Sequence, residues 1–516
     1  MSTLPRILKN LGAILTGRLL SILEQVVLPP IFIYRYGLSG FGEWIVLSGA
    51  ISALGLLNFG VQTYMNQDLA IRSQRGETEG YRVRQSTALR LLLGIVLLAA
   101  LLCLSFFAIP FDSLLRLDLS RAAVQTTLYL LALELLLTIL FGYLGGIFMG
   151  VAQAHRGANW NNAQALLSTL GLLLGVLLHL SFPALAAIQL GSLLVCLAGV
   201  LIDLYRTLGR TAPQLFPTLR YWDGTAIPGI LHGSAYFGMI MTSTFLAYQA
   251  PLLILQRVVG PVAVTGFTLM RTIFSMARQL LSMVTQSMGA EITHLFGSKN
   301  WPLLARLYDS SERLVLFLIA TVNLGVLMLS PVLITLWVAR HQAQSAAHTG
   351  ASSLFVVAPY VLCSALSMVI SLKEHKFQFQ FSTNTHIELA RTMFFSYVAM
   401  VLVSIGTIHY AGVIGFLWTW LAAETLQLLR LIGMNRRLFA HVQAIETSYI
   451  LRLAVLCGVG LAAALLLLPR SSALPLLTQT GIAVAAAAVV GVLAWKVFRV
   501  HEVYGGIMER FSKRFA

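Results

Sequence analysis

Apolar runs follow one another along the whole chain, separated by short polar segments rich in arginine and lysine. Each run is roughly 20 residues or longer, the length a helix needs to cross about 30 Å of hydrocarbon. Fourteen are legible, at 11–34, 44–67, 87–109, 122–150, 161–180, 183–204, 228–256, 262–286, 312–338, 352–372, 386–409, 411–434, 449–469 and 473–495. Two of them, 122–150 and 228–256, are long enough to tilt or to project from a bilayer. The pattern predicts an all-α polytopic membrane protein with about fourteen transmembrane helices.

Polar residues interrupt some of these runs in a helical rhythm. In ILTGRLLSILEQVVLPPIFIY, residues 14–34, Arg18, Ser21 and Gln25 share one helix face, and Glu24 lies near its edge. Arg18 and Glu24 are six residues apart and poorly spaced to pair along the helix. The eighth run repeats the design in RTIFSMARQLLS, where Arg271, Ser275, Arg278 and Ser282 form one stripe. An arginine at mid-membrane costs about 2.5–3.5 kcal/mol on insertion scales, so such stripes face a bundle interior or a watery cavity. Its planar donor fork suits phosphate. The two stripes predict a cationic cavity for an anionic ligand, with Arg18, Arg271, Arg278, Gln25 and Ser275 as binding residues. Snorkelling toward lipid heads is the competing reading for Arg18 and Arg278. Glu24, Glu134 and Glu424 also fall inside apolar runs. They are candidates for a coupling-ion site or for counter-charges, with a structural ion pair as the alternative. Pro29, Pro30, Pro228, Pro251 and Pro331 are candidate helix bends.

The loops orient the chain. With the N-terminus inside, the inner segments carry 24 arginines and lysines, Lys373 and Lys376 among them, against 6 in the outer segments. That bias follows the positive-inside rule and places both termini in the cytoplasm. It also accounts for the net charge of +16 without nucleic acid; anionic lipid heads are the expected partners. No catalytic phosphate loop, metalloprotease or hydrolase motif is present, the four cysteines lack metal or redox spacing, and no metal is expected. No loop has room for a soluble domain, so the protein is read as a non-enzyme without a cofactor. A weak repeat relates Gln25 to Gln249 and Gly42 to Gly266, 224 residues apart in each case. It suggests two related six-helix bundles, 1–225 and 226–440, then two further helices in 441–500 and a basic cytoplasmic tail, 501–516. Repeats of this kind are common in transporters.

The segment YGLSGFGEWIVLSGAISALGLLNFG, with Gly37, Gly42, Trp44, Leu57 and Gly60, resembles the polysaccharide (O-antigen-type) flippases of the multidrug/oligosaccharidyl-lipid/polysaccharide exporter superfamily. So does LHGSAYFGMIMTSTFLAYQAPLLILQRVVGPVAVTGFTLMRTI, which opens the second half. Asn58 departs from the pattern, standing where that family often has aspartate. The resemblance implies two pseudo-symmetric bundles in a V around a central cavity that opens alternately to each side. It implies a flippase that moves an undecaprenyl-diphosphate-linked oligosaccharide from the inner to the outer leaflet of a bacterial inner membrane. Arg18 and Arg271 match the arginines that related lipid II flippases use for diphosphate. The expected partners are the lipid-linked oligosaccharide, a polysaccharide polymerase and chain-length proteins. The driving force is a coupling cation, Na⁺ or H⁺, or the membrane potential.

Two other readings stay open. A cation-coupled drug antiporter usually has twelve spans and acidic cavity residues. A membrane glycan polymerase or ligase would use a long outer loop; the longest here, 339–351, carries Arg340, His341 and His348.

Overall fold

A computed structural model of the chain describes residues 3–502 except 152, 210–211, 290–291, 293–294, 297–298, 346–354, 384–386, 441, 443–447 and 473. The described residues form fifteen α-helices joined by short turns, with no strand among them. They group into two compact units, Met1–Thr265 and Gly266–Ala516.

The first unit begins with α1 (Thr3–Ile51), which is two helices rather than one. Gly37 has φ 76° and ψ 179°, outside helical space and open to glycine. The chain reverses there: the Phe32 and Trp44 rings lie 5.9 Å apart, whereas twelve residues of straight helix would separate them by about 18 Å. Pro29 and Pro30 lie within the first limb, so the reversal belongs to the glycine and not to the prolines. The second limb continues through a 3₁₀ turn (Ser52–Asn58) to a break and then α2 (Val61–Gln74). The apolar run at 44–67 is therefore not one uninterrupted helix. Gly60, at φ +74°, explains the break: a Cβ there would sit 2.5 Å from Phe237 Cβ and 2.7 Å from the Gly238 nitrogen.

The helices α3 (Thr78–Leu102), α4 (Phe111–Leu115), α5 (Arg121–Gly146), α6 (Ala154–Leu177) and α7 (Phe182–Leu204) follow. The central helix, α5, packs on α3, α6 and α7, while the first limbs of the unit pack as α1 on α6. Then come α8 (Ile227–Tyr248) and α9 (Ala250–Val258). Of these, α8 packs on α2 and α9 on α1, within the first unit. Pro228 and Pro251 stand in the first turns of α8 and α9. There proline starts a helix rather than kinking one.

The second unit holds most of α10 (Pro261–Ser287), then α11 (Trp301–Ser345), α12 (Val357–Ser382), α13 (Ile387–Phe439), α14 (Ser448–Ser471) and α15 (Leu476–Val497). Like α1, α13 is a hairpin, reversed at Gly412 with φ 55° and ψ −136°. The Thr407 and Thr419 hydroxyls meet at 2.9 Å across that turn. Pro331 lies inside α11, which carries α12, α14 and α15. Small residues seat α15: an added Cβ on Gly325 would lie 3.2 Å from Ala487 Cβ, and one on Gly491 would lie 3.4 Å from Thr321.

Ten described segments are long and apolar enough to cross a membrane. Two of them are the hairpins α1 and α13, each of two limbs; with α6 and α10, whose polar residues dilute their hydropathy, the total is fourteen spanning segments. The outward surfaces suit lipid. Leu97, Leu98, Leu101 and Leu102 of α3 and Leu451, Val455, Val459 and Leu466 of α14 are all exposed. An apolar surface of that extent marks contact with a membrane or a partner.

One part of the inner-loop reading needs correction. Lys373 and Lys376 are not loop cations; they lie in the last turns of α12, buried at 6% and 0% exposure. The polar stretch SLKEHKFQFQFS stays helical because its charges find partners on α11 and α13. Of the loop 339–351 and the tail 501–516, the side chains of Arg340, His341 and His348 and residues 503–516 lie outside the described residues.

Candidate functional site

In the first unit, α1 turns a leucine-rich face outward: Leu15, Leu19, Leu23 and Val26 are exposed, Leu19 at 65%. Arg18, Gln25 and Glu24 are half-buried off that face. Glu24 lies on the flank that packs against α6, and the Thr169 hydroxyl is its hydrogen-bond partner. On the same flank, Asn162 Nδ2 donates to the Ala13 carbonyl at 2.8 Å. Glu134 of α5 is half-buried, and the Thr138 hydroxyl donates to its backbone carbonyl at 3.0 Å.

The structure also reveals a polar site that the sequence reading missed. A cavity of about 550 Å³ opens between the 3₁₀ turn, α2, α5 and α6. Its hydrogen-bonding side chains are Asn58, Gln62, Asn66, Thr138, Asn161 and Gln164, and no charged residue is among those lining it. Gln62 and Asn58 lock each other: the Gln62 backbone N–H donates to Asn58 Oδ1 at 3.0 Å, and Asn58 Nδ2 donates to Gln62 Oε1 at 3.1 Å. Asn66 Nδ2 donates to the Gly142 carbonyl at 3.3 Å, while its buried Oδ1 has no partner among the described residues.

Other polar groups in this unit are spent on structure. Asp68 accepts from Arg72 at 2.9 Å and from Arg84 at 3.0 Å. Asp203 accepts from Arg156 at 2.5 Å and from Trp160 Nε1 at 3.0 Å.

In the second unit, α10 carries the arginine stripe. Arg271, Ser275, Arg278 and Ser282 are half-buried on one side, while Met270, Phe274, Ala277 and Leu281 are buried on another. The Arg271 guanidinium carbon lies 5.6 Å from the centroid of the Phe267 ring, within cation–π range. Phe267 packs on Phe416 at 5.4 Å and on Trp420 at 6.5 Å.

Beyond Trp420 lies a sealed ionic core. Glu424, fully buried, accepts from Trp420 Nε1 at 3.0 Å and from the Tyr397 hydroxyl at 2.5 Å, and pairs with Lys373. Lys373 also donates to Gln427 Oε1 at 2.9 Å. One turn along α12, Lys376 pairs with Glu312 at 2.6 Å and lies 4.3 Å from the Tyr308 ring centroid. Between them in sequence, the His375 ring nitrogen Nε2 meets the Ser311 hydroxyl at 3.0 Å. Glu424 thus has a lysine as its counter-charge, one that the loop pattern had assigned to solvent.

The four cysteines are free and buried. Among the described residues no cluster of histidine, cysteine and carboxylate groups is arranged to hold a metal.

No family model matches the chain, and no curated protein sequence does. Solved structures do. A multidrug resistance MATE family transporter of the MOP superfamily, in an inward-facing conformation, superposes with a TM-score of 0.63 at 15% identity, covering 81% of this chain and 96% of that one. The lipid II flippase MurJ, in an inward closed conformation, gives a TM-score of 0.64 at 12% identity, with 95% and 99% covered. A MOP superfamily transporter from Pyrococcus furiosus gives 0.57 at 12%, with 84% and 95% covered. The chain therefore has the fold of MOP-superfamily transporters and flippases.

Proposed function

We propose that the protein is a flippase that carries a lipid-linked oligosaccharide, on undecaprenyl diphosphate, from the inner to the outer leaflet of a bacterial inner membrane. The observation that carries this reading is the extent of the fold match. The lipid II flippase covers 95% of this chain, the MATE transporter 81%.

The chemistry follows from the half-buried arginines. Arg18, Arg271 and Arg278 offer planar forks to the diphosphate, and Gln25 and Ser275 add neutral hydrogen bonds. The lipid tail stays in hydrocarbon, so only the head group needs a polar route. Alternating access moves that route from one leaflet to the other. Glu24 and Glu134 are the acidic groups proposed to take up a coupling cation, unless the membrane potential drives the step. Glu424, held by Lys373, serves as a counter-charge in this scheme. Both termini face the cytoplasm, and a polysaccharide polymerase with its chain-length proteins receives the product.

The test is a strain lacking the gene. The lipid-linked oligosaccharide is expected to accumulate on the inner leaflet, with loss of surface polysaccharide. An Arg18→Ala, Arg271→Ala double variant, confirmed to be in the membrane, is expected to fail to restore transport. Normal arrival at the outer leaflet in the null strain overturns the reading. Altered drug susceptibility with intact surface glycan would put the antiporter in its place.

A further inference from the structure

We infer that the amide-lined cavity of the first unit is a binding site for an uncharged polyhydroxylated ligand, a sugar. The inference deepens the flippase reading and rests on it only in making that sugar part of the lipid-linked substrate.

Size comes first. About 550 Å³ lies inside the range of small-molecule sites, roughly 300–1,000 Å³, and is large enough for a mono- or disaccharide with some of its water. Charge comes next. Five of the lining side chains are carboxamides and one is a hydroxyl, with no cation or carboxylate among them. A charged ligand would leave its hydration shell without gaining a counter-charge, at a heavy desolvation cost. A sugar hydroxyl both donates and accepts, and each carboxamide also does both. The match is between like functional inventories.

The cavity is also built to hold its amides in place. Asn58 sits at the break in the second span and fixes Gln62 through two hydrogen bonds. Gly142 and Gly146 of α5 are bare where these side chains lie: a Cβ on Gly142 would collide with Gln62, and one on Gly146 with Asn66. Asn66 spends its Nδ2 on the Gly142 carbonyl, which leaves its buried Oδ1 as an acceptor without a donor. Buried acceptors of this kind are rare in folded proteins and mark a place where water or a ligand completes the bond. The apolar wall from Leu135, Ile139, Met149 and Met241 offers contact to the C–H faces of a pyranose ring.

The experiment uses the full chain in lipid nanodiscs and saturation-transfer NMR. The probes are methyl α-glucoside and N-acetylglucosamine, with tetraphenylphosphonium as a charged comparison. Transfer is expected to the sugar ring protons of at least one neutral probe. Asn66→Leu is expected to weaken that probe about tenfold, the loss of a hydrogen bond in a desolvated site. Asn161→Leu, at an exposed position on a different helix, is expected to weaken the probe about threefold and serves as the test should Asn66→Leu fail to fold. No transfer to either sugar, transfer unchanged in both variants, or transfer confined to tetraphenylphosphonium overturns the site. Because binding is read without transport, the two proposals fail separately. Sugar binding with normal flipping in the null strain removes the function and keeps the site. Lost flipping in that strain with no sugar binding removes the site and keeps the function.

Discussion

The two units solve the same problem, polar groups inside an apolar chain, in opposite ways. In the first, a cavity presents six uncharged polar side chains, and one buried acceptor there has no partner among the described residues. In the second the polar interior is charged and closed: Lys373 with Glu424 and Lys376 with Glu312 are buried, ringed by Tyr397, Trp420, Gln427 and Tyr308. A carboxamide out of water with one bond missing costs about 1–3 kcal/mol. A charge loses a great deal unless it is paired and further hydrogen-bonded. The difference is one of charge: the second unit's core pairs each buried lysine with a carboxylate, whereas the first unit's cavity offers only neutral hydrogen-bonding groups.

The comparison is broken most directly at Glu424. Glu424→Leu strands Lys373 in the core and is expected to cost about 3–5 kcal/mol, read as thermal unfolding in detergent. Adding Lys373→Met removes the stranded charge and is expected to recover most of the loss. A single variant as stable as the parent would show the core to be wet and its charges replaceable. Gly60→Ala tests the cavity's frame. A left-handed backbone costs a non-glycine residue about 1–2 kcal/mol, and here the methyl also meets Phe237. Stability at least that much lower is expected, and no change would mean that the break in the second span is soft. The smallest effect belongs to Asn66→Leu. It gives up one long hydrogen bond and an acceptor already unpartnered, so a change within about 1 kcal/mol is expected. A loss as large as that of Glu424→Leu would make the cavity a structural element after all.

Much of the fold is legible in the chain because spanning helices are long and apolar, and their ends are marked by basic loops. The glycine-rich turn YGLSGFG does reverse the chain, and the α10 stripe at Arg271, Ser275 and Arg278 does share one face. Lys373 and Lys376 misled for a physical reason. A run of polar residues looks the same whether water or a neighbouring helix satisfies it, and their partners Glu424 and Glu312 are 51 and 64 residues away. The cavity was hidden because amides inside apolar runs carry no charge and match no motif, and its walls come from three distant stretches of chain. A signal was nonetheless present. Asn58, Gln62 and Asn66 recur every fourth residue, the same rhythm that picks out the arginine stripe.

The hairpin at Gly37 has a consequence for how the chain reaches the bilayer. Its two limbs are joined by a single residue of non-helical backbone, too short to let one limb settle while the other waits outside. The unit that partitions from the translocation channel into lipid is then the pair. The penalty of Arg18, at most the roughly 2.5–3.5 kcal/mol of a mid-membrane arginine, is set against the apolar residues of both limbs rather than of one. A first segment burdened by an arginine is then carried in together with its neighbour.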